Sequence, residues 1–150
     1  MSPSRSLGVV SLAQLATGVT GMAIALKRRH HYDTPVKRGS PDTVGRDSLF
    51  NGTALSAPVT MLVTQVVSAS TALRGAPSSA DTVLEGLGFT MVAGYLGESL
   101  CRRRLLQPSE FDPVETPLIV VALGLSVAMG VLGRRARRAR RSSSTTDEYS

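Results

Sequence analysis

Long stretches without a charged residue alternate with short clusters of charged residues along this chain. The uncharged stretches cover residues 7–26, 48–73, 86–97 and 116–133, and each ends at or near arginines. The hydrocarbon core of a bilayer is about 30 Å thick, so a helix needs about 20 mostly apolar residues to cross it. Three of the stretches are long enough. The remaining one, 86–97, becomes long enough when it is extended to about 82–100. The pattern therefore predicts an all-α integral membrane protein, a bundle of four transmembrane helices.

The same pattern predicts the domain organisation. Residues 74–81 read as a tight turn, so the second and third spans are expected to form an antiparallel hairpin. Residues 134–150 carry six arginines followed by serine, threonine and acidic residues, a composition typical of a disordered segment. We predict a four-helix transmembrane domain over residues 1–133 and a disordered basic C-terminal tail over 134–150, with spans at about 7–26, 53–73, 82–100 and 114–133 and a loop at 27–52.

The first span has two alternative interpretations as a targeting segment. Residues 23–25 have the small-x-small form of a signal-peptide cleavage site, and no acidic residue precedes Asp33. However, the uncharged stretch is longer than the apolar core of a signal peptide, and basic residues follow it at once at 27–29. Mitochondrial presequences are amphipathic rather than continuously apolar. We therefore expect a retained membrane anchor.

The composition gives no support for an enzyme. Cys101 is the single cysteine, so the chain forms no internal disulfide and no cysteine-built metal site. The sequence contains no metal-ligand spacing and no phosphate-binding glycine loop before a lysine. It also lacks an interpretable set of serine, histidine and aspartate. We expect no catalytic activity, no cofactor and no metal site.

The second span has a hydroxyl face and an aliphatic face. At about 100° per residue, the hydroxyl side chains project into one arc of about 160°. Lipid is expected to contact the aliphatic side, so the hydroxyls should contact protein or water. They either pack helices together or line a polar path for an ion or solute, with Thr60, Thr64 and Ser68 as the path residues. The hydroxyl face comprises Thr53, Ser56, Thr60, Thr64, Ser68, Ser70 and Thr71, and the aliphatic face Leu55, Val59, Leu62, Val66 and Leu73.

The third span has a face of small residues. Small residues at four-residue spacing are typical of close helix contacts in membranes. We expect this face to pack against the hydroxyl face of the second span. It comprises Gly86, Thr90, Ala93, Gly94 and Gly97.

Two carboxylates lie within plausible spans. Glu98 borders the small-residue face, and an acidic residue inside a membrane is a candidate proton or cation carrier. The alternative is that Glu98 pairs with Arg102, four residues later on the same helix. Glu85 lies near the other end of the span and is expected to reach the lipid headgroups. The two residues are about 20 Å apart along a helix, so they cannot form one acid–base pair.

These features predict a non-catalytic membrane protein. The leading hypothesis is an accessory, assembly or scaffolding component that packs against itself or a larger membrane complex. The alternative is a small oligomeric transporter or pore that uses the hydroxyl face and Glu98. A holin-like pore former is a third hypothesis.

The expected partners are the lipid bilayer and further copies of the chain or a larger membrane complex. No nucleic acid is expected, because the chain shows no folded module or aromatic partner for one. The plasma membrane of a bacterium is the predicted location, with an organellar membrane as the alternative. Anionic lipid headgroups are expected to contact the tail arginines, namely Arg134, Arg135, Arg137, Arg138, Arg140 and Arg141.

The orientation signals conflict. Positive residues normally mark the cytoplasmic side. With four spans, the two termini and the 74–81 turn share one side with eight basic residues, against nine on the other side. Six of the eight lie within residues 134–141, and so dense a cluster is hard to translocate. We therefore predict that both termini are cytoplasmic. Three explanations of the balanced charges stay open: translocation of one basic cluster, a re-entrant segment, or insertion in both orientations.

Overall fold

The computed structural model describes residues 2–28, 53, 55–75 and 79–146. These residues form five α-helices and no strand, which confirms the all-helical prediction. The helices are α1 (Pro3–Arg28), α2 (Val59–Arg74), α3 (Ala80–Gly97), α4 (Ser99–Leu106) and α5 (Glu115–Thr146), with a short 3-10 helix at Pro108–Glu110. Most of the predicted 27–52 loop lies outside the described residues.

The four longer helices pack side by side in a ring, in the order α1, α2, α3 and α5. Near the start of α1, Gly8 faces Leu73 at the end of α2. Further along α1, Gly18 faces Leu62 near the start of α2. The two helices therefore run antiparallel.

Helix α5 runs antiparallel to both of its neighbours. Ser4 at the start of α1 contacts Arg140 late in α5, and Gly88 of α3 faces Gly130 of α5. Because α1 and α3 both oppose α5, they run parallel to each other, and α3 opposes α2. We call the end of the bundle that contains Ser4 and Arg140 the tail end. The opposite end, which contains Arg28, is called the loop end.

Two of these helices are long and apolar enough to cross a membrane, judged by length and composition. They are Pro3–Arg28 and Glu115–Ser142. Helix α2 has 16 residues, or about 24 Å, and α3 carries the acidic residues Asp81 and Glu85.

The second helix begins later than the predicted boundary at residue 53. Thr53 and Ser56 instead form an isolated antiparallel bridge, with N···O distances of 3.0 and 3.3 Å. Pro58 then precedes the helix in an extended conformation, at φ −53° and ψ 146°. Proline disfavours a helical conformation in the residue before it, so the helix starts after Pro58.

The third helix ends three residues before the predicted boundary at residue 100. Glu98 has extended backbone angles, φ −75° and ψ 126°, and its N–H donates to the Gly94 carbonyl. A separate helix, α4, starts at Ser99 and carries the arginines at 102–104. Glycine is a poor helix former, and Gly94 and Gly97 in the last turn weaken the helix at this point.

The first part of the basic tail is helical rather than disordered as predicted. Helix α5 continues without a break from the apolar stretch to Thr146. Arginine is itself a good helix former, and three of the tail arginines form ion pairs with α3. Composition alone did not show these partners.

Candidate functional site

Polar and charged side chains lie inside the bundle at three levels, and they are the candidate functional groups. At the tail end, Asp81 of α3 joins three helices. Its Oδ2 lies 2.6 Å from Arg140 Nη2 of α5 and accepts a hydrogen bond of 3.0 Å from Ser4 Oγ of α1. Asp81 is almost fully buried, so its charge is compensated by Arg140 rather than by solvent.

Glu85 lies one turn further into the bundle and forms a second ion pair with α5. Its Oε1 lies 3.2 Å from both Arg134 Nε and Arg137 Nη2. Arg134 also stacks over the Phe89 ring, at 5.1 Å from the ring centroid. Glu85 therefore points into the bundle rather than outward. Its side chain is buried because α5 brings the opposite charges to it.

Gln65 forms the centre of the middle level. Its Nε2 lies 2.8 Å from Gln14 Oε1 and 2.8 Å from the Ser11 carbonyl oxygen, so it links α2 to α1. Gln14 Nε2 in turn donates to Ser126 Oγ of α5 at 3.4 Å. All four residues are buried. Three helices are therefore fixed at one depth by hydrogen bonds between side chains.

At the loop end, Glu115 is the shared partner of two arginines. Its Oε1 accepts a hydrogen bond from Arg28 Nη1 of α1, and its Oε2 accepts one of 3.0 Å from Arg104 Nε of α4. Arg28 also reaches Asp112 at 2.9 Å. Glu115 is fully buried. This cluster joins the start of α5 to α1 and α4.

Glu98 is buried at the junction of α3 and α4, on the loop-end side of the bundle. Its carbonyl accepts the Arg102 N–H at 3.1 Å, which starts α4. Cys101 is close by and also buried. Burial, followed by the negative charges of Glu98 and Glu115, raises the pKa of the Cys101 thiol to about 12. The thiol is therefore neutral at physiological pH and a poor nucleophile.

The predicted hydroxyl face of the second span is divided between the outside and the inside of the bundle. Thr60 and Thr64 lie on the outer surface of the bundle, and Thr64 Oγ1 bonds back to the Thr60 carbonyl at 2.9 Å. Ser68 is buried. Glu98 is also buried, at the loop end, so the structure does not bring it together with the two threonines. Leu55 and Leu62 of the aliphatic face also lie in the interior, together with the buried hydroxyl residues Thr53 and Ser56.

The small-residue face of α3 also lies on the outside of the bundle. A Cβ added at Gly86, Gly94 or Gly97 would meet no other heavy atom within 4 Å. Thr90 and Ala93 are exposed. Within one chain, this face therefore does not pack against α2 as expected.

The close contact of α3 uses Gly88 and is made with α5. A Cβ added at Gly88 would lie 2.6 Å from the Gly130 nitrogen and 2.8 Å from the Ser126 carbonyl oxygen. At Gly133, a Cβ would lie 2.8 Å from Glu85 Cβ. These glycines let the two helices approach closely, and this approach brings Arg134 and Arg137 to Glu85.

Sequence reasoning missed most of the interior polar groups. Gln65 lies off the hydroxyl face, where it could clamp a neighbouring helix, but the local pattern does not indicate partners for Gln14 or Asp81. One signal could have found the tail-end pairs. The acids at 81 and 85 are four residues apart, and Arg134, Arg137 and Arg140 recur every three residues, so each set occupies one side of its helix.

The arrangement of the described polar groups can hold the helices in register. Within the described part of the chain, no group of three histidine, cysteine or acidic residues is placed to hold a metal ion. Comparisons of the chain with models of known protein families, with curated proteins and with solved structures found no match.

Proposed function

We propose that this chain is a four-span protein of the bacterial plasma membrane. The distribution of polar and apolar side chains carries this proposal. Gln14 is 1% exposed and Gln65 is fully buried, whereas Val63 and Val67 are 58% and 62% exposed. Water favours the opposite distribution. A bilayer favours the observed distribution. Contact of valine with lipid hydrocarbon carries no free-energy cost, and polar side chains find hydrogen-bond partners inside the bundle.

The spacing of the two ion-pair levels supports the same proposal. Glu115 and Arg134 are 19 positions apart on α5, or about 29 Å along the axis. The stretch between them carries no charge. This length matches the hydrocarbon thickness of about 30 Å. In the proposed arrangement, the charged groups at both ends lie near the headgroups.

The short second helix fits the proposal because protein covers the segment before it. Thr53, Leu55 and Ser56 are buried, and the Leu55 backbone packs against Gly21 of α1. Non-helical backbone at membrane depth is tolerated where protein buries it. The buried segment therefore extends α2 toward the loop end.

The proposed role is that of a non-catalytic accessory, assembly or scaffolding component. The buried polar groups make contacts between helices, which serves structure rather than chemistry. The outer face of α3 (Gly86, Thr90, Ala93, Gly94 and Gly97) has the composition of a helix contact, but none of the other described helices packs against it. A second copy, or a helix of a larger complex, would complete it.

Membrane location is tested by washing membranes that contain the full chain with alkaline carbonate. A four-span bundle with an apolar exterior should stay entirely in the membrane pellet. Recovery of the chain in the soluble fraction would refute the proposal.

Assembly is tested by changing the outer face of α3 without changing the interior. Gly86→Leu should reduce the oligomer, since a larger side chain keeps neighbouring helices apart, while the monomer has room for it. Val121→Leu, on the exposed side of α5, is the matched control and should assemble normally. The measurement is energy transfer between differently labelled copies in vesicles. Unchanged transfer for Gly86→Leu would contradict the use of this face.

A small oligomeric transporter or pore is the second candidate. The outward position of Thr60 and Thr64 favours it, because their hydroxyls could line a path between copies. Under this alternative, purified protein in vesicles should conduct protons or cations, and Glu98→Gln should abolish the flux. Such a result would replace the scaffold proposal. Absence of flux, with loss of the oligomer in Gly86→Leu, would support the scaffold.

A further inference from the structure

The arginines at the end of α5 occupy two different environments. Arg134, Arg137 and Arg140 turn toward α3 and pair with its two acids. Arg135 and Arg138 lie about 140–160° around the helix from Gly133, the residue that faces α3. Both are exposed, and neither side chain forms an ion pair or hydrogen bond within the described residues. Two charges are therefore available to an external partner.

The ion pairs with α3 fix the position of these two charges. Arg134 and Arg140 are attached to Glu85 and Asp81 on either side of them, so the segment remains helical and packed against the bundle. If Gly133 marks the edge of the hydrocarbon, Arg135 and Arg138 lie about 3 and 8 Å beyond it. The headgroup layer extends about 5–8 Å beyond the hydrocarbon on each side. The two guanidinium groups thus reach the level of the lipid phosphates.

No described acidic residue at the tail end remains to neutralise them. Asp81 and Glu85 are already paired with other arginines. Arg5 and Arg74 are exposed at the same end and add to the positive field. A guanidinium group forms strong, often bidentate hydrogen bonds with phosphate. The surface therefore suits a phosphate-bearing anion in the plane of the membrane.

We propose that Arg135 and Arg138 form a binding surface for the phosphate headgroups of anionic lipids. The proposal rests on the four-span membrane location and makes it more specific: two of the six tail arginines bind lipid, while Arg134, Arg137 and Arg140 hold the helix in place. An anionic lipid in the adjoining leaflet would be enriched around the tail end.

The test uses the full chain in vesicles of phosphatidylcholine that contain a minority of phosphatidylglycerol. Native mass spectrometry of the extracted protein then counts how many molecules of each of the two lipids stay bound to it. Arg135→Gln/Arg138→Gln should lower the preference for phosphatidylglycerol about thirtyfold, and each single change about fivefold. The preference should disappear at about 1 M salt, where screening acts within about 3 Å. Arg135→Lys/Arg138→Lys keeps the positive charge and should retain most of the preference for phosphatidylglycerol.

Arg102→Gln/Arg103→Gln is the matched control. It removes the same charge from exposed positions of α4 at the loop end. The described residues there carry five basic against four acidic side chains, compared with eight against two at the tail end. Its lipid preference should remain near that of the unchanged protein. An equal loss in both double variants would show a general charge effect and overturn the proposal.

Two further arms identify the source of the phosphate. Inorganic phosphate at millimolar concentration should not displace the lipid, and a short oligonucleotide should not bind to protein in phosphatidylcholine vesicles. Displacement by phosphate would indicate a soluble anion, and binding of the oligonucleotide a nucleic-acid partner; either would overturn the proposal. Failure to insert into vesicles would refute the four-span proposal as well. Insertion without lipid preference would refute this inference alone.

Discussion

Two glycines of α3, separated by a single residue, show how much depends on position. Gly88 faces the α5 backbone with no room for a side chain, while a Cβ at Gly86 would have no neighbour within 4 Å in the described part of the chain. Their helix propensities are identical, so any difference between them must come from the contact of α3 with α5. This contact also places Arg134 beside Glu85.

Gly88→Ala should therefore destabilise the bundle. The new Cβ would approach Gly130 and Ser126 within 3 Å, and relief of such overpacking typically costs about 1–3 kcal/mol. Gly86→Ala is the control and should be neutral or up to about 1 kcal/mol more stable, because alanine favours helix. Unfolding of both variants in mixed detergent micelles, followed by circular dichroism, gives the comparison. Equal stabilities would contradict the close approach at Gly88.

The sequence indicated that α3 has a small-residue face but did not show which side turns inward. Four-residue spacing is suited to contact with any partner, in the same chain or another. The informative residues were Leu84, Met91 and Tyr95, which share the side of Gly88 and are all buried. A bulky side chain on the same side as a glycine was the signal for the inward face.

At the scale of the helix, the start of α5 is set by Asp112. Its Oδ1 accepts hydrogen bonds of 2.9 and 2.8 Å from the Val114 and Glu115 N–H groups. Pro113 follows, at a position where a missing N–H is harmless. These hydrogen bonds, together with the one from Arg28, lower the pKa of Asp112 to about 2. The cap therefore depends on the ionised carboxylate.

This cap predicts a specific loss of stability in acid. Since the unfolded chain has an Asp pKa of about 3.9, the contribution of the charge is complete above about pH 4 and is lost as the pH falls toward 2. Asp112→Asn keeps a hydrogen-bond acceptor, so its stability at acid pH should be close to that of the unchanged protein. Its stability should decrease less than that of the unchanged protein between pH 4 and 2. Asp112→Ala should be destabilised at all pH values. Thermal unfolding midpoints measured across this pH range test the prediction. An Asp112→Asn variant that loses as much stability in acid as the unchanged protein would contradict it.

The sequence predicted the presence of helices better than their ends. The uncharged stretches that gave α1 and α5 contain the continuous apolar signal, and both helices form. The ends depend on single residues and distant partners. Pro58 delays α2, Glu98 ends α3, and ion pairs to Asp81 and Glu85 keep α5 helical beyond the apolar stretch. Pairs so distant in sequence cannot be inferred from local composition.

At the scale of the molecule, the two ends differ in how their positive charge is compensated. At the loop end, Arg28 and Arg104 pair with acidic residues around Glu115. At the tail end, Arg135 and Arg138 have no such partner within the described chain. The nearly equal numbers of basic residues on the two sides therefore conceal an asymmetry. Among the described residues, eight arginines face two acidic residues at the tail end, whereas five basic residues face four acidic residues at the loop end.

The dense arginine cluster at 134–141 predicts that the tail end faces the cytoplasm. Translocation of six arginines within eight residues would be opposed by their density of positive charge. Reporters fused after Ser150, one active only inside and one only outside the cell, should show activity of the inside reporter alone. The same result should hold for a fusion before Met1, since Ser4 contacts Arg140 at the same end. If only the outside reporter were active, the charges that follow α1 would determine the orientation; equal activity of both would indicate insertion in both directions.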